Sequence, residues 1–84
     1  MDYEIDWLPS ADDELLDVWL RHPHDRIAIN LASRAIDRIL SRDAHRLGTS
    51  LDNYRYIIVD PLVFLFTAVP DDGKVVIIEV RYAV

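Results

Sequence analysis

"RYIIVDPLVFLFTAV", residues Arg55 to Val69, decides the fold of this chain. Only Arg55 and Asp60 carry charge in it, whereas 29% of the whole chain is Asp, Glu, Lys or Arg. Three structures could hold so apolar a run: a membrane helix, a buried helix, or two strands folded back at Asp60-Pro61. A membrane helix needs roughly 20 apolar residues, and this run is shorter and broken in its middle. A continuous helix is excluded because Pro61 lacks an N–H and its ring clashes with the preceding turn. The β-branched and aromatic content favours strands. Asp-Pro suits a tight turn, with Asp bonding the backbone ahead and Pro presetting φ at the second turn position. The stretch therefore reads as two antiparallel strands, Tyr54–Val59 and Leu62–Val69.

Working outward, "YEIDW" at residues 3–7 alternates apolar and acidic side chains, the mark of a half-buried strand. Pro9-Ser10 then opens a helix, with Ser10 as its expected cap and Asp13 in capping-box position. Ala11, Leu15, Val18 and Trp19 recur at helical spacing, and Pro23 ends the helix near His22. A second helix is expected from Asp25 to about Arg42, with Ala28, Leu31, Ala32, Ala35, Ile36, Ile39 and Leu40 as its apolar stripe. Residues 43–53 are polar and read as a loop. Asp71-Asp72-Gly73 signals a further turn before a last strand, Lys74–Tyr82. The order is β-α-α-β-β-β. It predicts an α+β fold in a single domain over residues 1–84, a four-stranded, mainly antiparallel sheet with a helical hairpin on one face.

The totals agree. A chain of 84 residues buries only about 60–65% of its unfolded surface, so it needs a dense core or a partner. Hydrophobic residues make up 51%, enough for a core and too many for a disordered chain. With no Cys, disulfides and thiolate metal sites are excluded, and a reducing cytoplasm is compatible. The net charge of −6 argues against a broad phosphate-binding footprint. Asp2 and Glu4 stand where a secretory signal would be basic and then apolar, so no signal peptide and no membrane association are expected.

Strand parity gives the expected faces. If Tyr3, Ile5 and Trp7 face the helices, then Tyr54, Tyr56, Ile58, Leu62, Phe64, Phe66, Val76, Ile78 and Val80 join them. The open face then carries Arg55, Ile57, Val59, Val63, Leu65, Thr67, Val75, Ile77, Glu79 and Arg81, with Glu4 and Asp6 at its edge. So many aliphatics on an open face suggest that something covers it. Ile57, Val63, Leu65 and Ile77 are the candidate partner-binding residues, and a second copy of the chain is one candidate partner.

The pattern resembles a known family. The element order, "YEIDWLPSADDELLDVW" at the start, "ASRAIDRIL" in the second helix and "YRYIIVDPLVFLFTAV…GKVVIIEVR" at the end are similar to the RelE/ParE superfamily of toxins from type II toxin–antitoxin systems. The shared features are a strand ending in Trp, an Ala-containing helix start, an Arg opening the second strand and a Pro-Leu hairpin. The resemblance implies a small antiparallel sheet packed by two N-terminal helices, and neutralisation by a cognate antitoxin that wraps the toxin. It also implies a target: messenger RNA on the ribosome, which some members cut, or DNA gyrase, which others poison. The nucleases of the family place basic and aromatic groups on the open sheet face, for phosphate holding and proton transfer. Of those positions Arg55 is filled. Ile57 and Val63 stand where two further basic groups would be, and Ala83 stands where an Arg is usual, with Arg81 one strand step away. The resemblance therefore implies a toxin-like protein that acts by binding. The alternatives are a non-toxic protein-binding or dimerisation module, and a ribosome-dependent nuclease using Arg55, Arg81 and Glu79.

Other residues invite attention. Arg26, Arg34, Arg38, Arg42 and Arg46 are spaced in fours and would form a basic ridge on the second helix. Arg34, Arg38 and Arg42 are its candidate contacts to an anionic partner, though a solvated helix face is the plainer account. His22, His24 and His45 lack ligand spacing and read as exposed loop histidines, so no metal or other cofactor is expected. Glu4, Glu79, Arg55 and Arg81 read as cross-strand ion pairs. Trp7, Trp19, Phe64 and Phe66 read as core rather than a stacking platform.

Overall fold

A computed structural model describes residues 2–83. Its elements run β1 (Glu4–Trp7), α1 (Pro9–Arg21), α2 (Arg26–Leu40), β2 (Thr49–Leu51), β3 (Tyr54–Val59), β4 (Leu62–Val69) and β5 (Lys74–Tyr82). The strands form one five-stranded sheet in the order β1-β5-β4-β3-β2. The α+β arrangement is the expected one. The additional strand, β2, lies within the polar stretch read as a loop. It is only three residues long and lies at the exposed edge of the sheet, so it carries no apolar alternation to reveal it. β1 pairs parallel with β5 while all other pairings are antiparallel.

Local signals explain most boundaries. Pro9 occupies the start of α1, where its missing N–H costs nothing, and Leu8 precedes it in extended geometry. Ser10 is thus inside the helix, and no side chain caps it, contrary to the expected box. Gly73 adopts φ 62° at the end of a 3-10 turn over Pro70–Asp72, which leads into β5. In the hairpin between β3 and β4, Val59 pairs with Leu62, so Pro61 stands third in the turn rather than second. The Asp60-Pro61 peptide is cis.

One core holds the layers together. Phe64, Phe66, Leu62, Ile77, Val75 and Val80 from the sheet meet Ala11 and Val18 of α1 and Ile29, Ala32, Ile36 and Leu40 of α2. Trp7 packs edge-on against Phe64 at 5.9 Å, and its indole N–H donates to Asp37 Oδ1 at 3.0 Å. Phe64 and Phe66 are core, as expected, and Trp7 and Trp19 pack at its margin. On α2 the buried stripe includes Ile29, which the sequence reading omitted, and leaves Leu31 60% exposed.

Strand parity needs two corrections. The tight turn pairs Val59 with Leu62, Ile57 with Phe64 and Arg55 with Phe66. Cross-strand partners share a face, so Arg55, Ile57 and Val59 lie on the helix side, and Tyr54, Tyr56 and Ile58 on the open side. Both faces of residues 56–59 are apolar, so alternation alone could not choose between them. In β5 the register shifts: Leu65 pairs with Glu79 and Phe66 with Ile77, leaving Ile78 as an extra residue. Such a bulge reverses parity along one strand. It puts Val75 and Ile77 in the core with Val80, where the sequence reading had Val76 and Ile78.

Candidate functional site

The open sheet face carries a shallow groove of about 200 Å³ lined by Leu51, Tyr56, Val63, Leu65, Glu79 and Arg81. Four strands build it, β2 through Leu51. Tyr56 opposes Leu65 and Val63 opposes Arg81, while Leu65 also opposes Glu79. Arg81 Nε donates to Glu79 Oε2 at 3.1 Å, two residues along the same strand. The groove thus has an aliphatic and aromatic floor with one ion pair at its rim. Such an arrangement can hold an apolar side chain and orient a polar one. It offers no acid–base pair.

The candidate residues divide. Val63, Leu65, Glu79 and Arg81 meet at the groove. Ile77 does not: it is fully buried on the other side of the sheet, because Ile78 shifts the register. Ile57 is likewise turned to the helix side, packed against the core. Arg55 is on that side too. Its Nε donates to the Leu47 carbonyl at 2.6 Å and a terminal nitrogen to the Gly48 carbonyl at 3.3 Å. It therefore ties the segment before β2 to β3 and does not join Arg81 and Glu79. Gly48 belongs to the same tie: at φ +72° it sits so close to the strand that a Cβ would lie 2.2 Å from the Tyr56 carbonyl oxygen. The nuclease constellation suggested by resemblance is not assembled by these residues.

The arginine ridge is partly real. Arg34 and Arg38 are exposed on α2, but the helix ends at Leu40, so Arg42 and Arg46 lie beyond it. Arg26 is not on the ridge. Its guanidinium lies 3.8 Å from the centre of the Trp19 ring and its Nε donates to the Trp19 carbonyl.

A second cleft escaped the sequence reading. About 550 Å³ in volume, it lies between α1 and the end of β5 and is lined by Asp13, Glu14, Asp17, Arg21, His22 and Arg81, among others. β1 pairs with β5 only as far as Trp7 and Ile77, so the outer edge of β5 beyond that point has no strand beside it. Glu14 fills in: its Oε1 accepts from the Val80 backbone N–H at 3.2 Å. Tyr82 closes the end, its hydroxyl donating to Asp25 Oδ2 at 2.6 Å and its ring stacked on His22 at 3.7 Å. That bond to a carboxylate, with burial and the charges of Asp25 and Asp60, raises the Tyr82 pKa above its ordinary 10.0. His22 Nδ1 is 2.8 Å from the Val18 carbonyl, which can only accept, so the ring proton sits on Nδ1. His45 Nδ1 meets the Tyr3 hydroxyl at 2.6 Å. His22 and His45 are thus packed and bonded, not exposed loop histidines. The Tyr3–His45 and Tyr82–Asp25 bonds join residues far apart in sequence, and no local spacing announces them. Arg21 is paired with Asp17, as Arg81 is with Glu79, so the cleft's cations are already matched.

No protein-family model matches the sequence, and no curated protein matches it either. Solved structures do match in shape. A chain of the chromosomal ParDE TA system from P. aeruginosa superposes with a TM-score of 0.76 at 11% identity, over 98% of this chain and 97% of that one. A chain of the toxin–antitoxin complex RelBE2 from Mycobacterium tuberculosis superposes with a TM-score of 0.78 at 17% identity, over 98% of this chain and 92% of that one. The chain has a RelE/ParE-like fold. Among its described residues no helix is long and apolar enough to cross a membrane.

Proposed function

We infer that the chain is a toxin-like component of a type II toxin–antitoxin system. It acts in the cytoplasm by binding a cellular target, and a cognate antitoxin laid over its open sheet face neutralises it. The observation that carries this reading is a RelE/ParE-like fold spanning nearly the whole chain, shared with structures of two toxin–antitoxin systems. Binding is favoured over RNA cleavage by the groove itself. Its one cation, Arg81, is already paired with Glu79, and Arg55 holds backbone carbonyls on the opposite face. Phosphate handling and proton transfer from a ribose hydroxyl need several cationic and titrating groups together. An aliphatic floor of Val63 and Leu65 suits an extended or helical protein segment instead.

The test is expression of the chain in a bacterial host with and without the product of the short neighbouring reading frame. Growth arrest relieved by that product, with messages intact and arrest retained in Arg81→Ala, is the expected result. Cleaved messages and loss of arrest in Arg81→Ala would replace this reading with a nuclease. Absence of arrest would replace it with a non-toxic binding module.

A further inference from the structure

The two most exposed large aliphatic side chains are on α2, with Ile58 of β3 next at 59%. Ile27 is 80% exposed, Leu31 60%, Leu20 56% and Leu16 55%. On α2, Ile27, Leu31, Arg34 and Arg38 fall within about 60° of arc at 100° per residue, opposite the buried Ile29, Ala32, Ile36 and Leu40. The outward side of α1 carries Leu16 and Leu20, flanked toward its start by Asp12 and Asp13. A depression of about 340 Å³ lined by Asp12, Leu15, Leu16, Trp19 and Asn30 joins the two helices into one surface. Four exposed aliphatics brought together this way are uncommon on a monomer and mark an interface.

We propose that this outer face of the helical hairpin is a self-association surface, and that its occupant is a second copy of the same chain. Charge placement carries the choice. Arg26 against Trp19 fixes one end of the hairpin and the Trp7–Asp37 bond the other, so the start of α1 lies toward the end of α2. At that end α1 presents Asp12 and Asp13, and α2 presents Arg34 and Arg38; none of the four is in an ion pair among the described residues. At the other end, near the interhelical turn, both helices present aliphatics. A two-fold axis running along the hairpin, in the plane of contact, places α1 of each copy on α2 of the other. Leu16 and Leu20 then meet Ile27 and Leu31 twice, and the acidic pair meets the basic pair twice. The surface is complementary to itself, which is what an isologous dimer requires. This surface is separate from the groove at Val63 and Leu65, and the inference does not rest on the toxin-like reading.

Sedimentation equilibrium of the full chain across a range of concentrations tests it. A monomer–dimer equilibrium is expected, with Ile27→Asp shifting the midpoint at least tenfold to higher concentration. Ile27 is so exposed that this change leaves folding intact, which far-ultraviolet circular dichroism checks. A charge exchange is sharper. Asp12→Arg with Asp13→Arg, and separately Arg34→Glu with Arg38→Glu, should each weaken self-association. Mixed in equal amounts, the two double variants should associate with each other as tightly as the original chain does with itself. A monomer at every concentration overturns the proposal. So does a dimer that ignores Ile27→Asp but is broken by Leu65→Asp, which would put the contact on the sheet. Failure of the mixed variants to associate overturns the two-fold arrangement and with it the proposal.

Discussion

The two faces of the sheet are built from the same strands and almost the same residue types, yet they do opposite work. Under the helices, Leu62, Phe64, Phe66, Val75, Ile77 and Val80 are buried almost completely. On the other side, Tyr56, Val63 and Leu65 are also apolar, but they floor a shallow groove rimmed by Glu79 and Arg81. Composition does not distinguish the faces. Register does, through a two-residue turn at one end of β4 and a single extra residue, Ile78, opposite its middle. Hydrophobicity thus says that a side chain wants cover, and pairing geometry says whether the chain itself supplies it.

The sharpest contrast is between neighbours on β4. Phe64→Ala should cost about 3–5 kcal/mol, since it opens a cavity in the core. Leu65→Ala, one position along and on the open face, should cost about 1 kcal/mol or less. Urea unfolding of both variants checks this, and equal losses would erase the distinction between the faces. Deleting Ile78 comes next. The remaining alternation of β5 would still put Val75, Ile77 and Val80 inside, so the fold should survive with a loss of about 1–2 kcal/mol. Collapse of the cooperative unfolding transition would show that the bulge itself is needed to seat the core.

Smaller effects probe the margin where the two faces meet. Glu14→Ala removes the acceptor that stands in for a missing strand at Val80 N–H and should cost about 1 kcal/mol, with faster amide exchange at Val80. The smallest effect is confined to alkaline solution. The folded-state pKa of Tyr82 is raised above its unfolded value, so its contribution is fully present below pH 10.0 and is lost as pH rises through the raised value. Tyr82→Phe should therefore flatten the fall of stability above pH 10.0. An unchanged alkaline limb would mean that the Tyr82–Asp25 bond is not formed in solution.

Much of this architecture could be read from the chain. Pro61 forced the apolar run to fold back, alternation in "YEIDW" announced β1, and helical spacing found the α1 residues that face the core. What failed was anything that depended on pairing partners. Ile57 and Ile77 were assigned to the open face because alternation has two solutions wherever both faces are apolar, and only the turn and the bulge choose between them. Thr49–Leu51 pairs through its backbone, which leaves no side-chain pattern to find. At the candidate site, Val63 and Leu65 were legible because β4 alternates without interruption, and Glu79 and Arg81 because they lie beyond the Ile78 bulge, in phase with Val80. Arg55 was misplaced because its role is to bond carbonyls of a neighbouring segment, a contact made by tertiary folding alone. The exposed Ile27 and Leu31 could have been noticed, since they lie on the same helix line as Arg34 and Arg38.

The central claim is that the groove on the uncovered side of the sheet, and not the helical hairpin, meets the cellular target. Growth after expression of Leu65→Asp and of Leu16→Asp, side by side with the original chain, tests it most directly. Arrest abolished by Leu65→Asp and preserved by Leu16→Asp, with both variants folded, is the predicted result. Arrest preserved by Leu65→Asp, or abolished only by Leu16→Asp, would contradict it.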